Sequence, residues 1–79
     1  MEWIKCSDKL PDKDGEYLVY ISDRVWSGTM ILWFTNDFSQ LDGDLYYPHK
    51  GFYENDPEYG YMEYKEVTHW MLLPEPPED

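Results

Sequence analysis

The sequence predicts a small, mainly β single domain spanning residues 1–79. Its expected antiparallel sheet has three strands, or four if Leu45-Tyr46-Tyr47 joins, and carries a long irregular acidic excursion. Three observations predict this. A chain of 79 residues holds one hydrophobic core and not two. β-Branched and aromatic residues gather in short runs, and no stretch keeps the 3.6-residue apolar period of a long helix. Aromatics make up 19% of the chain, supplying apolar surface that disordered acidic segments lack.

Residues 1–15 open on the apolar pair Trp3-Ile4 and continue as a polar arm. Leu10-Pro11 stops a helix there, because the residue before proline avoids the helical region. Asp12-Lys13-Asp14-Gly15 is turn chemistry. Glu16-Tyr17-Leu18-Val19-Tyr20-Ile21 reads as the first strand. Ser22-Asp23-Arg24 makes a short connection into a second strand from Val25 to Phe34, forming a hairpin. Gly28 inside that strand marks a bulge or a close contact. Residues 36–60 keep neither period and read as the irregular excursion. Regular structure resumes at Tyr61, with Val67-Thr68-His69-Trp70-Met71 as the third strand, and Pro74-Glu75-Pro76-Pro77 ends it. Trp3 and Trp70 are expected in the core, with the tail prolines stacked on one of them.

The second strand is apolar on both faces. Thr29, Ile31 and Trp33 point one way with Val25, and Met30, Leu32 and Phe34 point the other with Trp26. A sheet with one solvated face alternates apolar with polar residues. Something is therefore expected to cover the second face, either the aromatic excursion or another chain.

Charge excludes some partners. Seventeen acids against six bases give a net charge of −11, so direct nucleic-acid binding and anionic membranes are not expected. No apolar run reaches a membrane-spanning length, and no secretory leader pattern opens the chain. The single Cys6 rules out an internal disulfide, so a reducing cytoplasm is the expected compartment.

Both ends of the chain are similar to a known family. Trp3-Ile4, Leu10-Pro11, Tyr17-Leu18-Val19 and the block Val67-Thr68-His69-Trp70-Met71-Leu72-Leu73-Pro74-Glu75-Pro76-Pro77 resemble a small phage and prophage family, domain of unknown function 551. Every position of the last block matches except Leu72, where the family carries proline. The resemblance covers residues 3–34 and 67–77 and leaves the acidic middle without a counterpart. It implies a phage or prophage origin in a bacterial host cytoplasm, and it implies no activity.

The chemistry-bearing residues are few. One Cys and two His, far apart in sequence, do not have the paired spacing of a zinc site, so neither a metal nor another cofactor is expected. His69 is read as a structural histidine. Cys6 beside Lys5 has a cationic neighbour that lowers a thiol pKa, but pairs with His69 only if the fold brings them together. Asp12-Lys13-Asp14-Gly15 and Asp42-Gly43-Asp44 lack the glycine and glutamate of a calcium loop and read as turns.

Charge geography is the remaining signal. Residues 36–66 hold eight acids against two bases, interleaved with tyrosines. Solubility explains such a run. So does an acidic face that meets a basic one, because carboxylates pair with Arg and Lys as phosphates do. The partner-binding residues expected on that reading are Asp37, Asp42, Asp44, Tyr46, Tyr47, Tyr53, Glu54, Asp56, Glu58, Tyr59 and Glu63. The partner would be a basic host protein, a nucleic-acid-binding protein or a CRISPR or restriction effector, bound without catalysis by a nucleic-acid mimic. The alternative is a small structural or accessory phage protein that forms homodimers or larger assemblies through an exposed aromatic face.

Overall fold

A computed structural model describes residues 2–44 and 46–74. The described residues form β1 (Ile4–Lys5), β2 (Gly15–Ser22), β3 (Ser27–Thr35), a 3-10 turn at Phe38–Gln40, β4 (Gly51–Asp56), β5 (Gly60–Tyr64) and β6 (Val67–Leu72). All six strands belong to one antiparallel sheet in the order β1-β6-β2-β3-β4-β5. The mainly β class stands, with more strands than the sequence predicts.

The β2–β3 hairpin forms in the expected place, closing at Ser22 opposite Ser27. Val25 and Trp26 leave the second strand for the loop, because the Asp23 carboxylate accepts their backbone N–H groups, both at 2.7 Å. Gly28 is a close contact rather than a bulge: its register with Ile21 is unbroken, and a Cβ there would lie 2.8 Å from the Trp26 indole. The bulge lies instead in the β2–β6 ladder, between Tyr20 and Ile21.

The excursion is less irregular than its composition suggests. Its second half is the β4–β5 hairpin, with Phe52 opposite Phe34 and Tyr53 opposite Trp33. Acids and Asn dilute the strand signal of residues 51–56, and pairing with β3 supplies what local propensity does not. Tyr46 and Tyr47 belong to no strand, and Leu45 lies outside the described residues.

Strand order and connection length together dictate the shape. In a flat sheet β5 would lie about 19 Å from β6, four strand spacings away. The link Lys65–Glu66 reaches only about 11 Å between Tyr64 and Val67. The sheet must therefore curl toward closure, with one face inside. That concave face holds the core: Tyr17, Val19, Ile21, Leu32, Phe34, Phe52 and Trp70, flanked by Ile4, Cys6, Leu10, Met30, Tyr64 and Val67. Residues 6–14 run past this core and take up its polar atoms. Trp70 Nε1 donates to the Lys9 carbonyl at 2.8 Å, and the Tyr17 hydroxyl donates to the Lys13 carbonyl at 2.7 Å.

Trp70 is core, as expected. Trp3 is not: it stands on the convex face, 40% exposed, against Tyr20 and His69. A two-residue β1 at the sheet edge, with Ile4 facing inward opposite Trp70, leaves Trp3 pointing outward by alternation. Of the tail prolines expected to stack on Trp3 or Trp70, Pro74 is exposed, and Pro76 and Pro77 lie outside the described residues.

Candidate interaction surface

Among the described residues the convex face is covered by a loop at one end, and Met71, opposite Leu18, is buried on the same face farther along. Residues 36–50 fold onto β4 and β5, and the attachment begins at Asp14, whose Oδ1 accepts from Asn36 N at 2.9 Å and Asn36 Nδ2 at 2.8 Å. Asp37 then caps the 3-10 turn, accepting from Ser39 N at 3.0 Å and Ser39 Oγ at 2.6 Å. These bonds hold its carboxyl below the usual carboxylate range, the Ser39 hydroxyl contributing most. The turn delivers Phe38, fully buried, onto Gly51, Tyr53 and Tyr46.

His49 closes the loop. Its ring stacks on Phe38 at 4.4 Å and on Tyr47 at 4.3 Å. Nδ1 lies 2.8 Å from the Tyr47 carbonyl and Nε2 lies 3.0 Å from Glu63 Oε1. Both neighbours are acceptors, so the ring satisfies both when each nitrogen carries a proton. The Tyr47 carbonyl, then Glu63, raises the pKa of His49 above its ordinary 6.5, against burial and Lys65. The Tyr46 hydroxyl adds a bond to the Tyr61 carbonyl at 2.8 Å.

The expected partner-binding residues therefore divide. Tyr46, Tyr53 and Glu63 hold the loop to the sheet, Asp37 caps the loop's own 3-10 turn, and Glu54 accepts from the Tyr64 hydroxyl at 2.8 Å. Asp42 and Asp44 lie in the loop, where Asp42 Oδ1 accepts from Asp44 N. Asp56, Glu58 and Tyr59 form the β4–β5 turn, where Asp56 Oδ1 accepts from Glu58 N and Tyr59 N. Asp44, Tyr47, Glu58 and Tyr59 are exposed. Among the described residues only Lys9–Asp12 and His49–Glu63 are ion pairs, so no described base neutralises Asp44 or Glu58.

Cys6 and His69 lie on opposite faces. Cys6 packs against the concave core, where burial pushes its thiol up despite the neighbouring Lys5. His69 faces outward with Trp3 and Tyr20, its Nδ1 2.9 Å from the Thr68 hydroxyl. Strand alternation therefore separates a nucleophile from a base that the sequence left open to pairing. Among the described residues no three His, Cys, Asp or Glu side chains come together as metal ligands, and no helix is long and apolar enough to cross a membrane.

The family model described as Protein of unknown function (DUF551) matches residues 2–78. The chain belongs to this family. A relative in Salmonella phage P22, an uncharacterized 7.8 kDa protein in the ral-gp17 intergenic region, is 32% identical over 82 aligned positions that cover all of both chains. No solved structure matches. The DUF551 match spans the acidic middle as well as the two ends. That middle supplies β4 and β5, two of the sheet's six strands.

Two features escaped the sequence. His49, weighed only as an isolated metal ligand, is the clasp of the loop. Trp3, Tyr20 and His69 share one convex spot, although they are distant in sequence. Alternation from Val19 and Trp70 would have placed Tyr20 and His69 on one face; the register that brings Trp3 to them is tertiary.

Proposed function

We propose that this DUF551 protein is a phage- or prophage-encoded, non-enzymatic binding protein that occupies a basic surface of a host protein. The surface would be a nucleic-acid-binding one, on a CRISPR effector or a nuclease, with carboxylates standing in for phosphates. The observation that carries this reading is the set of exposed carboxylates Asp44 and Glu58 beside the exposed Tyr47 and Tyr59, on two segments held to the sheet and not neutralised by bases of the described chain. The phage P22 relative supports the phage setting. Placing Cys6 and His69 on opposite faces supports a role without catalysis.

The test is capture of host proteins from lysate, with nucleic acid as competitor. Asp44→Lys with Glu58→Lys is the informative variant, because neither side chain caps a turn and exposed charges change stability little. Binding should fall steeply in the double variant and with added salt. Undiminished binding by a folded double variant would sink the proposal.

A second reading has its own observation. Ile31 (55% exposed) and Trp33 (43% exposed) leave an apolar patch on the convex face that the loop does not reach. Self-association through it, as in a small structural or accessory phage protein, would persist at high salt, where a charge-paired complex dissociates.

A further inference from the structure

Trp3, Tyr20 and His69 line an open hollow of about 270 Å³ on the convex face, apart from the acidic segments. The rings stand nearly perpendicular in every pair: Trp3–Tyr20 at 72°, Trp3–His69 at 76° and Tyr20–His69 at 83°, with centroids 6.3 to 6.5 Å apart. Each pair is an edge-to-face contact, so aromatic rings wall the hollow on three sides. A cation seated against the face of such a ring lies within the ~6 Å range of cation–π attraction.

We propose that these three residues form a binding site for a trimethylammonium group. The lining favours that group over an ordinary ammonium or guanidinium. Lys and Arg bring three and five N–H donors that need acceptors, and among the described residues no carboxylate lines the hollow. A quaternary ammonium carries charge without donors, so aromatic faces alone satisfy it. The protein's net charge of −11 adds long-range attraction for a cation. The fold prepares the walls before any ligand arrives. Tyr20 and His69 face each other across the β2–β6 ladder, and Thr68 Oγ1 bonds both the Tyr20 carbonyl and His69 Nδ1. Lys5, opposite His69 in the β1–β6 ladder, is exposed and does not line the hollow.

The full chain is titrated with tetramethylammonium chloride and, at matched ionic strength, with neopentyl alcohol as the neutral isostere, while the Trp3 and Trp70 indole N–H signals are followed by NMR. Tetramethylammonium should shift Trp3 saturably, leave Trp70 in place and bind about tenfold tighter than the alcohol. In the variants the Tyr20 and His69 backbone amides, which flank the hollow, are followed instead: Trp3→Ala should abolish their tetramethylammonium shift and Trp3→Phe should retain a weaker one, with an unchanged Trp70 indole signal reporting an intact core. Choline and a trimethyllysine peptide then separate the sources: the tighter of the two marks a small metabolite or a modified protein. Equal response to the alcohol, no saturable shift at Trp3, or a Trp3→Ala variant that binds as wild type would each overturn the proposal. So would a Trp3 shift that follows protein concentration instead, which would mark a second copy as the occupant.

Discussion

His49 and Glu63 decide whether residues 36–50 stay on the sheet, and their contact depends on pH. The folded-state pKa of His49 lies above the ordinary 6.5, so the protonated ring is bound more tightly in the folded chain than in the unfolded one. That stability is complete below about pH 6.5 and is lost as pH rises through the folded value. Thermal unfolding from about pH 5.5 to about pH 8.5 should show the decline, and Glu63→Gln should make it shallower, leaving the part that the Tyr47 carbonyl supplies. A wild-type curve as flat as the variant's would refute the clasp. At the core, Trp70→Ala should cost about 3–5 kcal/mol, because it empties a site packed by Tyr17 and capped by Lys9. That is comparable to the whole stability of a domain this small, so the variant should be largely unfolded by near-ultraviolet dichroism.

At the scale of elements, the β4–β5 hairpin and its covering loop are one unit. A Cβ on Gly51 would lie 2.8 Å from Phe38 Cε2, and Phe38 is fully buried with no free space to retreat. Gly51→Ala should therefore cost about 1–3 kcal/mol and speed amide exchange in residues 36–50 more than in β2. Gly60 differs. Its φ of +82° is left-handed and nothing lies near its missing Cβ, so Gly60→Ala strains only the turn, by about 1–2 kcal/mol. Similar exchange in both variants would mean that the loop does not depend on Phe38. Much of this scale was legible beforehand. Alternation in Tyr17-Leu18-Val19-Tyr20-Ile21 and the apolar run ending at Phe34 located the central hairpin. The chain from Gly51 to Asp56 was not legible, because its strand character comes from Phe34 and Trp33 across the ladder.

For the whole molecule, the contrast is between two surfaces. The acidic segments carry exposed carboxylates, Asp44 and Glu58 among them, whereas the convex face around Ile31 and Trp33 carries exposed apolar area. Replacing Ile31, 55% exposed, with Lys should change stability little. If the convex face drives self-association, sedimentation will show wild-type oligomers that this variant lacks. A monomer in both would leave the acidic surface as the binding face.

The sequence by itself determined the class, the central hairpin, the inward Trp70, the family and the two-faced apolar character of β3. These rest on period, propensity and composition, which are local properties of the chain. Only the tertiary structure decided that the sheet has six strands and curls on itself, that Trp3 faces outward, that Phe38 and His49 cover one end of the convex face, and that Cys6 and His69 are kept apart. Each of those depends on a pairing between distant segments, β1 with β6, β3 with β4, or the loop with β5. Register across such pairs is set by packing and shared hydrogen bonds that no single segment contains.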